Sequence, residues 1–252
     1  MKLLIVHEEC QTILDKALLS MVAEGNAQFS KMLIEKGANV DYCYEQAPTT
    51  LVIYAVAVGD EDLLRVLLDH GADVNRQTAY SGQTALMCAI IFSSEIEGRY
   101  DVLRLNSDGH MDDLTAAKIL IDYGADLNLT TQNGMTALMN AISSNNVAMA
   151  QLLIDNGADC GARVLIEAVV AGNEAIVGAM IEKGVDINDQ DKYDGNTALH
   201  VAARRGRQAI ARMLTDHGGD VNIPNNDGIT ALMYAAQKDH VEMVCDFIDI
   251  LS

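Results

Sequence analysis

The sequence predicts an all-α fold, an array of stacked helix–turn–helix repeats, and three observations predict it. A glycine-led phrase recurs six times: GANVD at 37–41, GADVN at 71–75, GADLN at 124–128, GADCG at 157–161, GVDIN at 184–188 and GGDVN at 218–222. A second phrase keeps step with it, TALM at 84–87, 136–139 and 230–233 and TALH at 197–200. Self-similarity at a fixed period is the signature of a repeat architecture. The composition agrees: half of the 252 residues are hydrophobic, yet aromatics make up only 4%, with no Trp and two Pro. Closely stacked helices rich in Ala, Leu, Ile and Met do not need aromatic volume to fill a core.

Residues 196–222, NTALHVAARRGRQAIARMLTDHGGDVN, show how one copy is built. After Thr197, Leu199, Ala202 and Ala203 recur at helical spacing. Gly206 ends that helix, because glycine tolerates the left-handed backbone of a tight turn. A second helix carries Ile210, Met213 and Leu214 on one face, and Gly218 stops it. The Asp-Val-Asn segment and the following Asp-Gly supply turn chemistry for an extended hairpin. One helix pair cannot bury its apolar faces alone, and stacking supplies the missing surface.

The glycines are separated by 34, 53, 33, 27 and 34 positions, and Thr50, Thr84, Thr136, Thr197 and Thr230 stay in phase with them. A period of 33–34 with Thr-x-Leu-His-x-Ala and Gly-Ala-Asp-Val-Asn resembles the ankyrin repeat, over nearly the whole chain. The resemblance implies one domain, 1–252, an ankyrin solenoid of seven helix–turn–helix copies with β-hairpin fingers. The copies fall at approximately 15–41, 42–75, 76–128, 129–160, 161–188, 189–222 and 223–252. Copy one has Lys16-Ala17-Leu18 in place of the threonine phrase, which suits a terminal cap. The last copy ends in Asp246-Phe247-Ile248-Asp249-Ile250-Leu251, apolar for a cap. Either these residues fold back on the stack, or the chain continues or pairs there.

Two breaks interrupt the period. Thr84 to Gly124 is 40 positions against 21 from Thr50 to Gly71, which puts an insertion near 93–111 between the helices of copy three. It reads either as a binding element or as a tolerated surface excursion; Ile96, Val102, Leu103 and Leu105 suggest that it packs on something. The second break is a deletion: Gly157 to Arg163 is 6 positions instead of 12 or 13, so the hairpin before copy five is almost absent and its first helix lacks the threonine N-cap.

Thirty-six acidic residues against 17 basic ones give a net charge of −19, which argues against nucleic acid or an anionic membrane as partner. Leu3–Val6 is too short an apolar run for a signal peptide, and no stretch approaches the ~18 apolar residues of a membrane span. Cys10, Cys43, Cys88, Cys160 and Cys245 are scattered, without a CxxC pair, and read as reduced thiols in a cytoplasmic setting. Specialised secretion into a host cell stays open. No metal, cofactor or catalytic constellation is expected, since P-loop, GxGxxG, HExxH and GxSxG patterns are missing. His200 resembles the ankyrin histidine that braces adjacent repeats.

Ankyrin proteins usually bind partners on a concave face of hairpin tips and first helices. Carried over, this implies Tyr80, Gln83, Ile91 and Phe92 in copy three, Gln132, Met135 and Ser144 in copy four, and Val170 in copy five. In copy six it implies Tyr193, Asn196, Arg204 and Arg205, and in copy seven Ile229, Gln237 and Lys238. Tyr80, Ile91 and Phe92 form a candidate apolar anchor, although Ile91 and Phe92 could instead pack under the insertion. Arg204, Arg205, Arg207 and Arg212 form a basic cluster suited to carboxylate or phosphate, or else a solvated face paired with nearby acids. The expected function is a non-catalytic scaffold or adaptor, a monomer holding a protein partner, with pairing through the apolar C-terminal end as an option. Two alternatives are a regulatory or inhibitory subunit or secreted effector that blocks an enzyme with 93–111, and an asparaginyl hydroxylase substrate modified at Asn75 and Asn222.

Overall fold

Helices and tight turns account for the described residues, which in this computed structural model are 2–43, 49–93 and 111–251, and no strand occurs among them. Side chains are described from residue 10 onward and, in the helix that begins at Ala85, as far as Ile91. The insertion expected at 93–111 therefore lies almost wholly outside the described residues, as does the Phe92 side chain.

The chain divides into two compact units, 1–140 and 141–252. The first contains α1 (Lys2–Ala23), α2 (Ala27–Glu35), α3 (Leu51–Val58), α4 (Glu61–Asp69), α5 (Ala85–Ser93) and α6 (Asp113–Asp122). The division runs through α7 (Ala137–Ser143). The second holds α8 (Val147–Asp155), α9 (Ala162–Ala171), α10 (Glu174–Glu182), α11 (Ala198–Arg205), α12 (Gln208–Asp216), α13 (Ala231–Gln237) and α14 (Val241–Leu251). In the first unit α1, α3 and α5 pack in a row, with α2 and α4 as a second row. In the second unit α9, α11 and α13 form one row and α8, α10, α12 and α14 the other. Leu18, Leu51, Leu63, Leu64 and Leu67 fill the core of the first unit; Leu165, Val169, Met180, Leu199 and Leu214 fill that of the second.

Local chemistry fixes where helices start. The hydroxyls of Thr50, Thr84, Thr136, Thr197 and Thr230 each accept the backbone N–H three residues on, closing the first turn of α3, α5, α7, α11 and α13. At the second helix of a pair Asn26, Asp60, Asp112, Asn146 and Asn173 do the same for α2, α4, α6, α8 and α10. Between the helices of a pair the backbone turns left-handed, at Gly206 with φ 67° and, without glycine, at Asn145 with φ 53° and Asp239 with φ 58°.

The fingers are tight turns. Thr78 N–H donates to the Gln83 carbonyl and Gly82 N–H to the Thr78 carbonyl, both at 2.9 Å. Asp191 and Gly195 repeat the pattern, donating to Asn196 and Asp191 at 2.9 and 2.8 Å. These bonds close each finger so early that its arms are too short for the strand ladder of a β-hairpin. The connection between α8 and α9, residues 156–161, has no finger; Gly161 gives no side-chain cap, and the Ala162 N–H instead donates to Asp189 at 3.2 Å.

The asparagines of the recurring phrase join copy to copy. Asn75 Nδ2 donates to the Gly124 carbonyl at 3.2 Å and its Oδ1 accepts the Asp126 N–H at 2.7 Å. Asn188 makes the same pair with Gly218 and Asp220, both at 2.9 Å. At the first copy α1 takes over this task with two side chains: Gln11 donates to the Gly37 carbonyl at 2.8 Å and Asp15 accepts the Asn39 N–H at 2.7 Å. No described helix is long and apolar enough to cross a membrane.

Candidate partner-binding surface

In the first unit the outermost point of a finger is Tyr80, 79% exposed. Its flanking carbonyls are pinned: Ser81 O accepts the Gln132 N–H at 3.1 Å and Ala79 O the Gln132 amide at 3.3 Å. Gln132 is exposed but spends its amide on this clamp. Gln83 is half-buried and accepts from Ser81 Oγ at 3.1 Å. Ile91 and Met135 are also half-buried, so neither stands free as an anchor.

The second unit repeats the device. Tyr193 is 71% exposed, Lys192 Nζ lies 5.0 Å from its ring centre, and Asn226 donates to the Tyr193 and Asp194 carbonyls at 3.2 and 3.0 Å. Both tyrosines occupy a finger one residue longer than those ending in Thr136 and Thr230, in which Gly134 and Gly228 close back on Thr131 and Asn225. The extra residue pushes the tyrosine outward.

Asn196 departs from the exposed position expected for it. It is 2% exposed, bonds Asn225 at 2.9 Å and donates to Asp194, so it braces one finger against the next. Ile229 is half-buried, and its carbonyl faces His200 Nε2 at 3.0 Å. Since the Thr197 N–H donates to His200 Nδ1 at 3.1 Å, Nε2 carries the proton and donates to Ile229. His200 thus caps its own helix and holds the next copy, and burial above all keeps its imidazole below the ordinary 6.5. Ser144 and Val170 are half-buried; Arg204, Arg205, Gln237 and Lys238 are exposed at the ends of α11 and α13. Sequence reasoning missed Tyr234, whose ring lies 5.7 Å from Arg204 Cζ and whose hydroxyl takes a bond from Asn225 at 3.2 Å. The signal was its phase: four positions after Thr230, it stands where the preceding copy has Val201.

Asn75 is half-buried with both amide atoms engaged, whereas the Asn222 side chain is exposed. Cys88 is buried and its thiol is pushed up to about 12, which makes it inert as a nucleophile. Among the described residues no three His, Cys, Asp or Glu side chains gather as metal ligands would.

A model of the family "Ankyrin repeats (3 copies)" matches residues 1–78, 18–105, 107–191 and 165–249. The chain belongs to the ankyrin-repeat family. Among curated ankyrin-repeat relatives it is 25% identical over 235 residues to ankyrin repeat and SOCS box protein 6 of Homo sapiens, covering 90% of this chain and 49% of that protein. It is 27% identical over 244 residues to putative ankyrin repeat protein FPV022 of Fowlpox virus (strain NVSL), covering 90% and 39%. An alignment with L-asparaginase of Dirofilaria immitis, 26% identical over 200 residues, covers 77% of this chain but 30% of the enzyme. The chain thus spans less than half the length of each of these relatives, and its aligned residues are ankyrin repeats, so the likeness assigns no hydrolase activity.

Of solved structures, the ankyrin repeat domain of Bcl-3, a member of the IkappaB protein family, superposes with a TM-score of 0.74 at 26% identity, covering 90% of this chain and 96% of that one. The human ASB11 ankyrin repeat domain gives 0.60 at 23%, covering 88% and 92%, a likeness of fold alone. Ankyrin-repeat domains are ordinarily non-catalytic modules that mediate protein–protein interaction.

Proposed function

We propose that the chain is a scaffold or adaptor holding a protein partner on the surfaces that finger tips and first-helix ends make in each unit, beside α5 in the first and beside α11 and α13 in the second. The carrying observation is the pair of tyrosines, Tyr80 and Tyr193, at 79% and 71% exposure on backbone that is clamped from both sides. Large aromatics with few rotatable bonds are the anchors that dominate interface energetics, and a pinned backbone lowers the ordering cost of binding. A net charge of −19 fits a protein rather than a nucleic acid as that partner, met in the cytoplasm by a monomer.

The test is an affinity capture with the full chain and with variants Tyr80→Ala, Tyr193→Ala and Arg204→Glu. Loss of specific partners in the variants is the expected result; the same partners retained after all three substitutions would sink this choice of face. A second reading concerns modification. The free exposure of Asn222 favours it over Asn75 as the hydroxylation target, and mass spectrometry of natural material showing Asn222 unmodified would remove that reading.

A further inference from the structure

The cations of the second unit are not scattered. Arg204 and Arg205 end α11, Arg207 follows after Gly206, and Lys238 follows the adjacent α13; all four are exposed. Arg212, farther along α12, is paired with Asp246 at 2.7 Å. Among the described residues Arg204, Arg205, Arg207 and Lys238 have no carboxylate within ion-pair distance, although 36 of the chain's 252 residues are acidic. Glu174, Asp239 and Glu242 stand on the neighbouring turns, yet none is paired with them.

Two of these cations are held in place without being neutralised. Arg204 lies over the Tyr234 ring. Arg207 donates to the Val170 carbonyl at 3.3 Å and covers Gly172, where a Cβ would stand 2.7 Å from the guanidinium carbon. An aromatic face and a carbonyl orient a guanidinium while leaving its charge available.

Arg207 is the telling residue. Five other second helices of a pair begin on Asn or Asp, whose side chain accepts an amide of the first turn. Helix α12 begins on Arg207, which makes no such bond. The exchange forfeits a cap and sets a cation at the positive end of the helix dipole. The dipole at the other end of α11 accounts for Arg204 and Arg205 but not for Arg207. A residue that breaks two local rules at once points to a role outside the fold. The two equivalent turns described in the first unit, residues 23–27 and 58–62, carry Glu24, Asp60, Glu61 and Asp62 and no cation.

We infer that Arg204, Arg205, Arg207 and Lys238 form a recognition site for a carboxylate-rich segment of the partner protein, an inference that rests on the binding-module reading above. Guanidinium groups match carboxylates two bonds at a time. The acidity of the remaining surface disfavours long phosphodiester chains and anionic bilayers, which would meet repulsion beyond this small patch.

The probe is a fluorescein-labelled dodecapeptide of alternating Glu and Ala, titrated by anisotropy against the full chain at low ionic strength. Saturable binding is expected, weakening by about tenfold or more in the Arg205→Glu/Lys238→Glu double variant, with a Gln–Ala dodecapeptide as the non-binding control. Arg207→Asn restores the missing cap: it is expected to raise the urea midpoint and yet weaken the probe about threefold, a combination that a purely structural arginine would not give. Absent binding, or an affinity indifferent to both variants, overturns the inference. So does displacement by inorganic phosphate well beyond that by acetate at matched ionic strength, or co-sedimentation with phosphatidylserine vesicles that the double variant abolishes. A chain that captures a partner through Tyr80 or Tyr193 but ignores the Glu–Ala peptide overturns this inference alone. A chain that binds the peptide at the arginines but has no partner sensitive to the tyrosines overturns the earlier reading alone.

Discussion

Helices α9 and α11 pack side by side in the second unit and begin in opposite ways. Thr197 starts α11, its hydroxyl and His200 closing a reciprocal cap, after a full finger over residues 183–197. Gly161 starts α9 with no side-chain cap, after the short connection 156–161. Yet both helices bury their apolar residues alike: Leu165 and Leu199 are each 1% exposed, Ala168 and Ala202 each 0%. The difference teaches that stacking suffices to form a first helix. Cap and finger fix where it begins, brace the next copy and present a tip to the outside.

The largest effects should be equal at the two helices. Leu165→Ala and Leu199→Ala are each expected to cost about 2–5 kcal/mol in urea unfolding, the usual loss for an emptied core site. A much smaller cost at Leu165 would mean that α9, lacking its finger, packs less firmly than its burial implies. Next comes the cap. Thr197→Ala should cost about 1–2 kcal/mol, because the buried His200 loses a partner as well as the helix its first-turn bond.

Acid should act on α11 and spare α9. Burial holds the His200 imidazole below 6.5, so the folded chain refuses a proton that the unfolded chain accepts. Its stability contribution is complete above pH 6.5 and is lost as the pH falls below that value. His200→Met, the residue found at Met87 and Met139, should flatten that part of a stability–pH curve measured by urea midpoints; an unchanged slope would mean that other groups govern it. The smallest effect is a gain. Gly161→Ser supplies the missing cap at a position where a Cβ meets only the Asp159 carboxylate at 3.6 Å, and is expected to stabilise by about 0.5 kcal/mol.

What the sequence made legible is what repeats locally. Thr-Ala-Leu reports a cap and a buried helix face within four residues, and Gly-Ala-Asp-Val-Asn reports a helix end and a turn. Tyr80 and Tyr193 could be placed on the partner face by the ankyrin resemblance, because their positions follow from their phase ahead of Thr84 and Thr197. Asn196 could not, since it turns inward to meet Asn225, which is 29 positions away. Arg207 was visible as a charge but not as a lost cap, because that meaning depends on the Asn and Asp standing at the same place in five other helices. The absence of strands from the described fingers follows from backbone bonds that close within five or six residues, a geometry that turn-forming composition does not specify.

The bridges made by Asn75 and Asn188 have an evolutionary consequence. Each reads only main-chain atoms of its neighbour, a glycine carbonyl and an aspartate N–H, and Gln11 with Asp15 reads the Gly37 carbonyl and the Asn39 N–H at the first copy. A junction that consults no side chain on the far side imposes no matching substitution there. At such joints neighbouring copies can drift, duplicate or be exchanged by recombination, whereas a side-chain pair such as Asn196 with Asn225 has to change together.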